Sequence, residues 1–255
     1  ARSLNINAKP VIIGPVSYLL LGKEKEAGFS RLELIHNLLP VYLELITQLV
    51  SYKTEWIQFD EPFLTMDLDE ESKTVFTNTY AAIRKAFPSL KIMVATYFGD
   101  LGDNTSLALS LPVNVLHLDL VRAPEQLKTV LSEISPAMGL SLGIVDGRNI
   151  WKNNFQESVN SIRIVADQIG EERVWIAPSC SLLHVPADLE LETNERTLPG
   201  EIKQWMAFAR QKTAEVVVLK HILLEPENTL YQKILQENTA IMKARESSAF
   251  IHNNW

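Results

Sequence analysis

The apolar run Trp56-Ile57-Gln58-Phe59 leads straight into two carboxylates, Asp60 and Glu61, and Pro62 stops it. In a parallel α/β architecture such a strand is buried on both faces, so acids at its C-terminal end belong to a cleft at the sheet's carboxyl edge or cap the turn beside the proline. Further groups of this kind follow. His117 and Asp119 alternate with Leu116 and Leu118 and so share one side of a strand. Together they can bind a metal or a substrate amine, or form a buried ion pair. Asp146-Gly147-Arg148-Asn149 reads as a tight turn whose glycine permits positive φ. Its arginine can clamp a carboxylate bidentately or make a structural salt bridge. Cys180, the single cysteine, reads as a nucleophile, a zinc ligand or a small buried apolar residue. Thr96 and His184 complete the set, whereas His36, His221 and His252 fall on helices or the tail and read as surface or packing residues. The sequence lacks a glycine-rich phosphate loop, a Gly-x-Ser-x-Gly elbow and a Cys-x-x-Cys pair, which sets nucleotide and hydrolase readings back.

Six apolar stretches have to position these residues, at 9–15, 56–59, 91–96, 113–120, 139–145 and 173–177. The first closes in a Gly14-Pro15 turn. Helical periodicity fills the gaps between them. Ser30 and Glu33 have the spacing of a capping box and predict a helix running to about residue 52. Its apolar residues Leu32, Ile35, Leu38, Leu39, Tyr42, Leu45, Ile46 and Leu49 read as one stripe, with Pro40 as a kink. Further helices are predicted at 70–87, 105–109, 124–134, 155–169, 199–223 and 226–245. Strand-helix alternation of this kind gives a parallel sheet, because each crossover helix returns the chain in the same direction.

The chain has 255 residues and is 46% hydrophobic, enough for a sizeable core. A net charge of −7 without a long basic cluster argues against nucleic acid and for a small-molecule partner. The apolar run at 11–21 is interrupted by Gly14 and Pro15 and falls short of the roughly 20 residues that span a bilayer, so no membrane segment is expected. One cysteine cannot form an internal disulfide, and a start at Ala1 without a signal-like core fits a cytoplasmic protein, read as a piece of something longer.

Five segments, in order, carry a resemblance: Lys9-Pro10-Val11-Ile12-Ile13-Gly14-Pro15-Val16, Trp56 to Pro62, Val115-Leu116-His117-Leu118-Asp119-Leu120, Gly147-Arg148-Asn149 and Ser179-Cys180-Ser181-Leu182-Leu183-His184. Over nearly its whole length the chain resembles cobalamin-independent methionine synthase. The resemblance implies a (β/α)8 TIM-barrel fold with about six of eight strand-helix units present. It places residues 1–246 in an incomplete barrel like the N-terminal domain of the family, and 247–255 in a tail or the start of an interdomain linker. Such enzymes move a methyl group from 5-methyltetrahydrofolate polyglutamate to homocysteine, with zinc in the C-terminal catalytic barrel only. The partners implied are that second barrel, the folate and homocysteine.

Matched by strand order, Thr96-Tyr97-Phe98 stands where the catalytic barrel has a His-x-Cys pair. Asp119 stands near its glutamate, Arg148 near its proton donor and Cys180 at its final cysteine. Zinc takes three or four protein ligands, so zinc binding by this chain is expected to be negligible. Asp60, Glu61, His117, Asp119, Arg148 and Cys180 are then the residues of a remnant cleft, with no catalytic residue among them. The chain is expected to be inactive alone and to support the folate tail. The alternatives are a free-standing barrel that binds a small ligand, or a decarboxylase-like barrel enzyme using Asp60 and Asp119. Two missing strands would leave open sheet edges, so self-association, pairing with a missing fragment or a marginal fold is expected.

Overall fold

The computed structural model describes residues 4–6, 8–25 and 28–251. Of the tail read at 247–255, residues 252–255, His252 among them, lie outside the described residues. The chain forms two compact units, one ending at Ser141 and the other beginning at Leu142.

The first unit contains β1 (Val11–Ile13), α1 (Pro15–Leu21), α2 (Ile35–Ser51), β2 (Trp56–Asp60), α3 (Glu70–Ala86), β3 (Lys91–Thr96), α4 (Thr105–Ser110), β4 (Val115–Asp119) and α5 (Gln126–Glu133). It closes with the start of β5 (Gly139–Val145), where Gly139 N donates to Asn114 O at 2.9 Å. The ladders from β1 to β4 are parallel, and the strand order is the chain order. Register decides which residues share a face. Ile57 pairs with Ile92, and Phe59, Val94 and Leu116 form one row. All of these are fully buried. Phe59 carries the helical layer, with Tyr42 of α2 at 6.4 Å between ring centroids and Tyr80 of α3 edge-on at 5.9 Å. The opposite face carries the row Ile13, Asp60, Ala95 and His117.

The second unit takes up the end of β5 and adds α6 (Phe155–Ile169), β6 (Val174–Pro178), α7 (Gly200–Lys203), α8 (Ala209–Leu224) and α9 (Thr229–Glu246). Ser179 N donates to Val145 O at 2.8 Å beside β6. Val145, Phe155, Val159, Leu219 and Ile222 form its core, with Ile176 and Tyr231 packed against them. Leu189, Met206 and Phe208 make a second cluster with Trp151 and Ile202.

The expected α/β class holds, and three local expectations change. Pro15 does not end a turn but opens α1, at the first helical position, where a missing N–H costs nothing. Ser30 makes no side-chain cap: Glu33 N donates to Ser30 O at 3.1 Å, and a 3-10 turn (Arg31–Leu34) leads into α2. The backbone carbonyl thus takes the amide that a capping box would give to the serine oxygen. The helix predicted at 199–223 is broken between α7 and α8, where the Met206 and Phe208 side chains turn into the second cluster.

Asp69 is a genuine cap, its Oδ1 accepting from Ser72 N at 2.8 Å. Asp69→Ala is therefore expected to lower the urea-derived stability by about 1 kcal/mol, while Ser30→Ala changes it by less than about 0.5 kcal/mol.

Candidate functional site

Glu61 is fully buried, and its two oxygens are both engaged. Oε2 accepts from Ser17 N at 2.8 Å and Oε1 from the Tyr80 hydroxyl at 2.8 Å. Ser17 lies in the first turn of α1, so the carboxyl at the end of β2 caps that helix across the sheet. The Ser17 hydroxyl in turn accepts from Phe63 N at 3.2 Å, fixing the turn after Pro62. Gly14 is required by this contact, because a Cβ there would lie 2.0 Å from the Glu61 carboxyl. Burial pushes the Glu61 carboxyl up to about 7, against the opposing pull of its Ser17 and Tyr80 hydrogen bonds. Tyr42, whose hydroxyl donates to Ile13 O at 2.9 Å, is pushed to about 12, by burial and then by the nearby Glu61.

Asp60 points to the other face of the sheet. Its Oδ1 accepts from Gln58 Nε2 at 2.8 Å, and Gln58 Oε1 accepts from Lys9 Nζ. Burial lowers the Lys9 ammonium and Asp60 raises it in part. His117 lies in the same row two strands along, about 10 Å away at the usual strand spacing. Its Nδ1 is 2.9 Å from Ser141 Oγ, and its carbonyl accepts from Thr96 Oγ1 at 2.7 Å. Asp119 is fully buried, and its Oδ1 accepts from the amides of Val121 and Arg122 at 3.2 and 3.0 Å. It thereby shapes the turn after β4. Asp60, His117 and Asp119 thus share one sheet face, whereas Glu61 is committed to α1.

In the second unit Gly147 does not use the positive φ that a glycine permits. The glycine is needed for space, because a Cβ would lie 2.8 Å from Cys180 O and 3.0 Å from its Sγ. Gly147 N donates to Ser179 Oγ at 3.1 Å, and Asp146 Oδ1 accepts from Arg148 N at 2.8 Å. Arg148 is exposed at the tip of that turn, and Cys180 is buried beneath it with Sγ 3.7 Å from Ser181 O. His184 lies in a short 3-10 turn. His36 is exposed, and His221 pairs with Glu225 at 2.9 Å and stacks on Tyr231. A groove of about 590 Å³ between α6, β6 and α8 takes in Trp175 and Val216 but none of the strand-end residues.

One group escaped the sequence reading. Three consecutive backbone positions after β5 are held by residues from later in the chain. Trp151 O accepts from Lys212 Nζ at 2.8 Å, Lys152 N donates to Trp205 O at 2.8 Å, and Asn153 N donates to Glu215 Oε1 at 3.1 Å. Lys212 and Glu215 are buried. Burial drives the Lys212 ammonium down and the Glu215 carboxyl up to about 7. The signal was a lysine and a glutamate three apart inside an apolar helix, hidden when residues 199–223 were read as one element.

Among the described residues no three His, Cys, Asp or Glu side chains converge as a metal site. The individual donors do not fit zinc either, since Asp119 serves backbone amides and Cys180 lies packed against Gly147. The geometry can hold turns and helix ends in place and present Arg148 to solvent.

Glu61 and Glu215 hold protons in the native state that the unfolded chain releases above about 4.5. Stability contributed by each is therefore full below 4.5, falls as pH rises from 4.5 to 7 and levels off above. Glu61→Gln is expected to remove about 1 kcal/mol per pH unit of that decline, read from urea unfolding between pH 4.5 and 8. In the same assay at pH 7, Gly147→Ala should cost about 1–3 kcal/mol through its clash with Cys180.

Residues 1–170 match the family model described as cobalamin-independent synthase, N-terminal domain. A 5-methyltetrahydropteroyltriglutamate–homocysteine methyltransferase from Flavobacterium johnsoniae is 50% identical over 256 residues, covering 100% of this chain and 33% of the relative. A protein of the same name from Cytophaga hutchinsonii is 54% identical over 247 residues, covering 96% of the chain and 32% of the relative. The chain thus spans about a third of the length of the curated relatives it matches. Among solved structures, a B12-independent methionine synthase from Shewanella sp. W3-18-1 superposes with a TM-score of 0.56 at 13% identity, over 88% of this chain and 65% of that one. At that identity the likeness is one of fold. The match over residues 1–170 and the identity along the whole chain establish that this chain belongs to the cobalamin-independent synthase family, through its N-terminal domain.

Proposed function

We propose that this chain is the non-catalytic N-terminal barrel portion of a methyltransferase that makes methionine from homocysteine. In the whole protein the methyl group leaves the N5 nitrogen of 5-methyltetrahydropteroyltriglutamate for the homocysteine sulfur, and the folate nitrogen takes a proton in its place. Zinc belongs to the C-terminal catalytic barrel. This chain buttresses that barrel, helps to receive the folate's glutamate tail, and works in the cytoplasm. The observation that carries the reading is 50% identity along the entire chain with a methyltransferase three times as long. The engagement of the strand-end acids in helix and turn capping supports a structural part. Arg148, exposed at the tip of its turn, is the residue here best suited to a carboxylate of the tail.

The test is reconstitution. The chain alone is expected to transfer no methyl group and to retain no zinc after dialysis against a weak chelator. Addition of the separately purified catalytic portion is expected to give methyl transfer that exceeds that portion's own activity by at least about tenfold. Methyl transfer by the chain alone, or one-to-one zinc retention lost on Cys180→Ser, would overturn the proposal.

A further inference from the structure

Helix α8 carries two charged residues in its core-facing row. Lys212, Glu215 and Leu219 are spaced by three and four, so they share one face, and all three are buried. A buried ammonium or carboxyl is destabilising unless hydrogen bonds and opposite charge surround it. Lys212 donates to Trp151 O at 2.8 Å. Glu215 is only half served: Oε1 accepts from Asn153 N at 3.1 Å, and Oε2 has no hydrogen-bond partner among the described residues.

The segment that Glu215 holds is tied from several sides. Trp151 forms an antiparallel bridge with Met206, and Lys152 N donates to Trp205 O at 2.8 Å. Asn153 Nδ2 donates to Ile144 O and Asn238 Nδ2 of α9 to Asn153 O, both at 2.9 Å. Arg245 of α9 lies over the Trp151 ring at 4.1 Å. The Lys152 side chain is the loose end. It is half-buried, and its ammonium makes no hydrogen bond or ion pair among the described residues. Burial lowers that ammonium and Glu215 raises it.

The charges that face Glu215 are therefore Lys212 on its own helix and Lys152 on the segment after β5. Asp146, in the turn before that segment, faces Lys212. Arg245 is turned to the Trp151 ring, and α9 and α6 otherwise send the neutral Asn238 and Ser158 to the residues around 153. His221, farther along α8, meets Glu225 and Tyr231 instead.

We infer that Glu215 and Lys152 form a proton-operated latch on the segment after β5: a carboxylate at 215 draws the Lys152 ammonium onto its unused oxygen, and a protonated carboxyl releases it. The inference goes beyond the proposed function and does not depend on it. Lysine suits the part because its ammonium rides on a flexible four-carbon stem, so the side chain moves while the backbone stays tied. Lys212 does not serve, because its ammonium is engaged at Trp151 O. Burial places the Glu215 carboxyl at about 7, so the latch is open below that pH and closed above it. The closed latch also steadies the turn that presents Arg148. Trp151 N donates to Asn149 Oδ1 at 2.9 Å, and Asn149 Nδ2 to Asp146 Oδ2 at 2.5 Å.

Hydrogen–deuterium exchange on the full native polypeptide tests the latch, read at the Lys152 and Asn153 amides and corrected for the intrinsic pH dependence of exchange. Between about pH 5.5 and 8.5 these amides are expected to slow by at least about tenfold, with a midpoint near 7. Glu215→Gln and Lys152→Met should each flatten the profile, and Lys152→Arg should keep it. Glu61→Gln, which removes the other carboxyl that titrates near 7, should leave it unchanged. A flat wild-type profile would overturn the inference. So would slowing that survives Lys152→Met, which assigns the effect to Lys212 or to water, or slowing lost in Glu61→Gln, which assigns it to the first unit. Lys152 is half-buried, so its substitutions carry the test even where Glu215→Gln fails to fold.

Discussion

The first unit depends on one buried contact, the Glu61 carboxyl against the N-terminus of α1. Three constraints meet there. A helix beginning at Pro15 leaves its first amides without partners, and a carboxyl from the next strand supplies one. Gly14 must have no side chain for that carboxyl to reach them. Tyr80 of α3 then closes the other oxygen, so β1, α1, β2 and α3 are tied through a single side chain. A solvated acid at a strand end would be available for chemistry, whereas an acid sealed in this way is part of the framework.

The same economy recurs at the other strand ends. Asp119 shapes the turn after β4, Asp146 the turn after β5, and Gly147 makes room for Cys180. Families with such folds place catalytic groups at the C-terminal ends of strands. In this chain Glu61, Asp119 and Asp146 stand at such ends and are turned to backbone amides. Glu215 and Lys212 do comparable work for the segment after β5, with Glu215 Oε2 left without a hydrogen-bond partner among the described residues. A buried carboxyl with an unused oxygen favours its protonated form, in keeping with the upward push from burial.

Much of the fold was legible because the strands are short apolar runs bounded by turn residues. β3 and β5 fall where their sequences predict, as does α6. What failed was chemistry that needs a partner distant in sequence. Ser30 and Glu33 have a capping box's spacing, but a backbone carbonyl took the amide. Gly14-Pro15 looked like a turn because the acid that makes it a helix start lies 46 residues on from Pro15, at Glu61. At Gly147 the sequence offers conformational freedom, whereas the constraint there is space, set by the Cys180 carbonyl packed against it. The periodicity of α2 was visible, yet a single stripe was read where the structure separates a buried set from an exposed one. Pattern alone records that a residue is apolar and is silent on which neighbour covers it.

The Glu61 carboxyl carbon reports directly whether this side chain is framework or an open acid. A carbon-13 NMR titration of Glu61, assigned through Glu61→Gln, should show a midpoint near 7 that added homocysteine does not move. A midpoint near the ordinary 4.5, or one displaced by homocysteine, would mean that the carboxyl is solvated or meets that ligand, and Glu61 would not be part of the framework.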